Sequence, residues 1–221
     1  MDWHIHYINA RGQLDPAEAP LREGIAAASD LLADGVPDLA VDIVVQVSAF
    51  PAPQPLAVSG AALSRGRIDL MADMAQFRDP ATDAARYRGQ SLRTMLHEYH
   101  HALRWEGPGY GRTLGEALVS EGLAQVFVHE RADTPPEPWE TALDEASQAA
   151  LAARAEASFG EAGYSHPGWF FGMGSLPQWA GYALGAALVR RYLAETPGTT
   201  ALGLAHAPAA LFRPGLAAMA G

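Results

Sequence analysis

The chain of 221 residues contains neither cysteine nor lysine. Without cysteine, disulfides and thiolate metal sites are excluded, so any transition-metal ion must be held by histidines and carboxylates. All fifteen basic residues are arginine, set against 25 acidic residues for a net charge of -10. The arginines are scattered, with no run longer than Arg190-Arg191. An acidic chain without a basic stripe has no footprint for a phosphate backbone, so no nucleic-acid partner is expected. Long apolar runs are missing too. The best candidate, Leu176 to Val189, contains Gln178 and falls short of the roughly 20 residues that a bilayer requires, so it reads as a buried helix and no membrane partner is expected. The start, Met1-Asp2-Trp3-His4-Ile5-His6, has neither a basic nor an apolar signal segment, which predicts a cytoplasmic protein. With 49% hydrophobic residues, the chain can bury a full core as one domain over 1–221.

Against these absences stands His97-Glu98-Tyr99-His100-His101, an H-E-x-x-H pattern. On an α-helix, His97 and His101 sit one turn apart on one face, so both imidazoles can reach one ion. Glu98 projects beside them, where a carboxylate can act on water without occupying the metal. The helix itself is predicted from about Gln90 to Trp105, where Leu92, Met95, Leu96, Tyr99, Ala102 and Leu103 recur at helical spacing. Glu106-Gly107-Pro108-Gly109-Tyr110-Gly111 then stops it. Thr113-Leu114-Gly115-Glu116 fits a capping box, predicting a second helix from Thr113 to about Glu130. Glu121 lies two turns into that helix, and an antiparallel return would bring it alongside His101 as a third ligand. Three protein ligands leave a position open for water, as in catalytic zinc sites. Glu116 competes for the ligand role, but the capping box accounts for it.

Elsewhere, residues 14–34 read as an amphipathic helix and Val41 to Ala49 as a central strand. Phe50 to Pro55 is a proline-rich loop, and Leu56 to Leu63 with Arg67 to Met71 forms a hairpin around Ser64-Arg65-Gly66. His4 and His6 mark one face of an edge strand. A polar, alanine-rich helix is predicted from about Glu140 to Ser158, a loop over Gly160 to Gly174, and a long helix over Leu176 to Glu195. Within the last, Gly181 and Gly185 are four apart and predict close helix packing. His100 is placed towards solvent or a neighbouring loop, and His129 at a polar helix end.

The segments His97-Glu98-Tyr99-His100-His101 and Val119-Ser120-Glu121-Gly122-Leu123-Ala124 resemble those of gluzincin zinc peptidases. Ser-Glu-Gly-Leu-Ala is similar to the N-E-G-F-A segment of zinc aminopeptidases. Together with Pro177-Gln178-Trp179-Ala180-Gly181-Tyr182-Ala183-Leu184-Gly185, these motifs look like a bacterial family of predicted Zn-dependent proteases. The resemblance runs from about Gln90 to Tyr192. It implies an α+β, zincin-like fold: a small, twisted, mostly antiparallel sheet packed on the H-E-x-x-H helix, with an exposed edge strand and a helical C-terminal lobe. On that reading residues 1–105 form the sheet-containing part and 106–221 the helical part of the single domain. The chain departs from thermolysin-like enzymes at Gln125, where they carry an Asp that orients a ligand histidine. The amide oxygen of Gln125, or another group, would take over that task.

The expected activity is hydrolysis of a peptide or protein substrate. One zinc ion sits on His97, His101 and Glu121, Glu98 is the general base, and Tyr182 or His166 donates to the oxyanion, with Tyr164 a weaker candidate. The peptide is expected to lie extended along the edge strand near Val58 to Leu63. The rival reading is a zinc-binding protein without catalysis on a peptidase-like fold. A di-iron bundle would need a second E-x-x-H, and the sequence has none.

Overall fold

The structure, a computed structural model, describes residues 1–52 and 56–221. Of the proline-rich loop expected over Phe50 to Pro55, Pro53, Gln54 and Pro55 lie outside the described residues. The chain divides into two compact units, Met1–Leu103 and Arg104–Gly221. Among the described residues there are four strands and seven α-helices, so the protein is α+β.

The first unit holds β1 (Trp3–Tyr7), α1 (Glu18–Leu32), β2 (Val41–Val47), β3 (Val58–Ser64), β4 (Arg67–Ala72) and nearly all of α2 (Pro80–Trp105). The strands form one sheet in the order β1-β2-β4-β3. Only β3 and β4 pair antiparallel, as the expected hairpin; β1 with β2 and β2 with β4 are parallel. The mostly antiparallel sheet expected from the resemblance is therefore corrected to a mixed one. The cause is connectivity: α1 carries the chain back between β1 and β2, which makes that pair parallel, and β3 runs back at the far edge so that the hairpin returns β4 parallel to β2. One face of the sheet is apolar, with Ile43, Val45, Ile68 and Leu70 buried. α1 contributes Leu21, Ile25, Ala28 and Leu32, spaced at helical period, to the same unit's core. Its Gly24 admits α2 closely, since a Cβ there would lie 2.5 Å from the Cβ of Ser91.

α2 starts about ten residues before the apolar periodicity suggested. Asp79-Pro80 has the signature of a loop but serves as a helix start: proline suits the first helical turn, and the Asp79 carboxylate accepts the N–H of Ala81. Asp83 in that turn accepts the N–H groups of Arg78 and Asp79. Deeper along the helix, the Tyr99 hydroxyl donates to the carbonyl of Pro37 and accepts from the N–H of Leu39. That buried phenol ties the chain before β2 to α2.

The second unit is helical: α3 (Leu114–Arg131), α4 (Glu145–Ala157), α5 (His166–Phe171), α6 (Ala180–Glu195) and α7 (Arg213–Ala220). α3 begins with the expected capping box, both of whose hydrogen bonds are present. α3 and α6 pack backbone to backbone. A Cβ on Gly185 would overlap the carbonyl oxygen of Leu118, and one on Gly122 would overlap that of Gly185. Gly181, by contrast, faces the ring of Phe170, which a Cβ would approach to 2.6 Å. The loop expected over Gly160 to Gly174 contains α5, capped by the Ser165 hydroxyl on the N–H of Gly168 and ended by Gly172 at φ 71°. α6 starts at Ala180, four residues later than expected, because Trp179 adopts φ 64° and breaks the helical path. His129 is not an idle helix end: its Nε2 meets the Glu140 carboxylate at 2.8 Å, and Arg190 from α6 pairs with the same carboxylate. No helix among the described residues is long and apolar enough to cross a membrane.

Candidate metal centre

The side chains of the H-E-x-x-H turn lie on α2 in the first unit. His97 and His101 meet edge to face, ring centroids 4.7 Å apart at 81°, with their Nε2 atoms at 3.1 Å. Ligands held about 2.0–2.1 Å from one tetrahedral ion are roughly 3.3 Å apart, so the two nitrogens converge as a pair of ligands would. His100 is fully buried rather than turned to solvent, because the helix face it occupies packs inward.

Glu98 is 6% exposed, and one carboxylate oxygen accepts the N–H of Ala62 at 2.8 Å. β3 can come this close because residue 60 is glycine: a Cβ there would lie 2.5 Å from Cγ of Glu98 and 2.6 Å from Cγ2 of Thr94. Gln90, Thr94 and Glu98, four apart on α2, line the edge strand. Gln90 accepts the N–H groups of Ala57 and Val58, and the Thr94 hydroxyl donates to the carbonyl of Val58. β3 is at the sheet edge as expected, but its outward groups at Val58 and Ala62 are already engaged. A peptide adding along Val58 to Ala62 would have to displace these side chains. Beyond Ala62 the ladder is irregular, and Leu63 is 54% exposed.

Glu121, on α3 in the second unit, is 6% exposed. Tyr110, which the sequence reading passed over, donates to its Oε1 at 2.8 Å. Burial, reinforced by the Glu121 charge, pushes the Tyr110 phenol well above its ordinary range, so it stays a donor. Around it an aromatic cluster collects. The His166 ring is 6.1 Å from that of Tyr110 and stacks on Phe170 at 4.4 Å, and Tyr182 meets Phe170 edge to face at 5.0 Å. The Tyr164 hydroxyl lies 3.1 Å from Nδ1 of His166. Burial raises Tyr164 to about 12 and lowers His166, the nearby Glu121 charge adding to the first shift and opposing the second. Burial thus favours the neutral form of the His166 imidazole. The amide nitrogen of Gln125, considered above as an orienting group, donates to the carbonyls of Glu121 and Tyr182 and joins α3 to α6, while its oxygen has no hydrogen-bond partner among the described residues.

Among the described residues, His97, His101 and Glu121 form a group that could hold a metal ion, their ligand atoms all within 4.8 Å of one another. A model of the family described as predicted Zn-dependent protease (DUF2268) matches residues 82–213, well over half of the chain. The chain belongs to this family. The matched span contains α2 from its first turns, all of α3 and all of α6, and so every member of the His/His/Glu group. No curated protein and no solved structure matches the chain.

Proposed function

We propose that the chain is a gluzincin-type, zinc-dependent peptidase with a zincin-like fold, built as one domain and holding one ion on His97, His101 and Glu121. The observation that carries this reading is the convergence of those three ligand atoms in a chain of the predicted Zn-dependent protease family. The donor set suits zinc: two neutral imidazoles and one carboxylate, with no thiolate. When bound, the ion supplies a Lewis acid that lowers the pKa of water and polarises a peptide carbonyl.

The rest of the chemistry belongs to the chain. Glu98 takes the proton of the attacking water and returns it to the leaving amine, its carboxylate steadied by the N–H of Ala62. His166 or Tyr182 donates to the oxyanion. For His166, the tautomer in which Nδ1 accepts from the Tyr164 hydroxyl 3.1 Å away would carry the ring proton on Nε2 and leave it available to donate. A substrate peptide would meet β3 at its irregular end near Leu63 rather than along Val58 to Ala62.

A second reading, a zinc-binding protein without hydrolysis, draws on the hydrogen bond between Glu98 and Ala62, which a purely structural glutamate would also make. Glu98→Gln separates the two. The peptidase reading expects zinc bound one to one in both proteins, hydrolysis of a peptide library by the wild type, and a loss of at least about 100-fold in the variant, the scale of general-base catalysis. Zinc binding with no turnover in the wild type, or full turnover in the variant, refutes it.

A further inference from the structure

We propose that Tyr110 is a positioning residue that sets the carboxylate of Glu121 for metal binding; the role rests on the zinc reading above. The phenol donates to Glu121 Oε1 at 2.8 Å from a loop built to hold it there. Tyr110 lies between Gly109 at φ 72° and Gly111 at φ 96°, a conformation in which side chains are strained. Neither glycine has room for one. A Cβ on Gly109 would lie 3.2 Å from the Trp105 ring, and one on Gly111 would overlap the Glu116 side chain.

Both obstacles belong to helix ends. Trp105 ends α2, where the N–H of Gly109 is bonded to the carbonyl of Arg104. Glu116 is held by the capping box and also accepts the N–H of Arg112. The Gly-Tyr-Gly turn is thus clamped on either side of one phenol, and that phenol points at the carboxylate.

A carboxylate offers two oxygens and turns easily about its last bond. A donor fixed on Oε1 sets that rotation and draws charge from the group, and so determines how the carboxylate is presented to a cation. Carboxylate ligands are themselves hydrogen-bonded as a rule, and removing such a partner costs about 10- to 100-fold in metal affinity.

Tyr110→Phe removes the hydroxyl and keeps the ring. Zinc affinity is measured by competition with a chromophoric chelator, and the coordination is read from the visible absorption of the cobalt(II)-loaded protein. The expected result is 10- to 100-fold weaker zinc binding and a changed cobalt spectrum, with the far-ultraviolet circular dichroism of the metal-free protein unaltered. In a Glu121→Gln background the same substitution should have little further effect on zinc affinity, since the group it positions has changed. Wild-type affinity with an unchanged cobalt spectrum in Tyr110→Phe overturns the proposal. So does an equal loss of affinity in the Glu121→Gln background, which marks a purely structural role. A wild-type protein that binds no zinc overturns the underlying zinc reading, and that result needs no variant.

Discussion

Gly185→Ala should destabilise the helical unit even though alanine is the better helix former. The added methyl would sit about 1 Å inside van der Waals contact with the carbonyl oxygen of Leu118, and 3.3 Å from the nitrogen of Gly122. Both obstacles are backbone atoms of α3, which cannot turn aside as a side chain could. The helices must separate by about that overlap, and overpacking of this kind costs roughly 1–3 kcal/mol. A rigid obstacle puts the clash at or beyond the upper end, and alanine returns only about 1 kcal/mol of helix propensity. The net loss is about 2 kcal/mol, or a fall in melting midpoint of about 4–8 °C for a protein of this size. Gly89→Ala is the control. Gly89 lies inside α2 with nothing within 4 Å of a new Cβ, so the same change should stabilise by about 0.5–1 kcal/mol. Thermal unfolding followed by circular dichroism compares the two. Equal midpoints for Gly185→Ala and wild type, or a rise matching the control, would refute the close-packing argument. Since Gly122 follows Glu121 directly, the zinc reading proposed above expects Gly185→Ala to weaken zinc binding as well.

Two further outcomes follow from the same geometry. On the peptidase reading proposed above, Gly60→Ala, which drives a methyl into the Glu98 side chain, should lower peptide hydrolysis by about 100-fold, a loss that a displacement near 1 Å can cause, while zinc binding persists; unchanged kcat/KM would refute this. Glu140→Gln should cost about 3 kcal/mol near neutrality, at the lower end for breaking a buried ion pair because the side chain of Arg190 is 40% exposed. Burial alone would raise the Glu140 carboxyl, but the His129 hydrogen bond, the N–H of Glu137 and the charges of His129 and Arg190 together hold it below its ordinary value. Its stabilisation is then complete above the ordinary carboxylate range and is lost as pH falls through the depressed value. The gap between variant and wild type in urea unfolding should accordingly close in acid, and a gap that widens there would contradict this.

The candidate metal group was legible because its elements are local. Helical spacing puts His97, Glu98 and His101 on neighbouring positions of one turn, and the Thr113–Glu116 box marks where the next helix begins and hence how far along it Glu121 stands. The hairpin of β3 and β4 was legible for the same reason, a short turn between two strand-like runs. Breakers misled where they serve as boundaries: Asp79-Pro80 opens α2, and Ser165 with Gly172 bounds α5 inside an expected loop. Tyr110 was missed because nothing in a Gly-Tyr-Gly turn shows where the phenol will point.

By itself, the sequence determined what periodicity and capping can write within a few turns: the H-E-x-x-H helix, the start of α3, and the close packing required at Gly185. Tertiary structure alone decided the parallel pairing of β2 with β4, the engagement of the β3 edge by Gln90, Thr94 and Glu98, and the phenol set on Glu121. The physical reason is range. Capping and helical phase act between residues three or four apart, whereas strand order and side-chain partners depend on which surfaces meet once the chain has closed on itself.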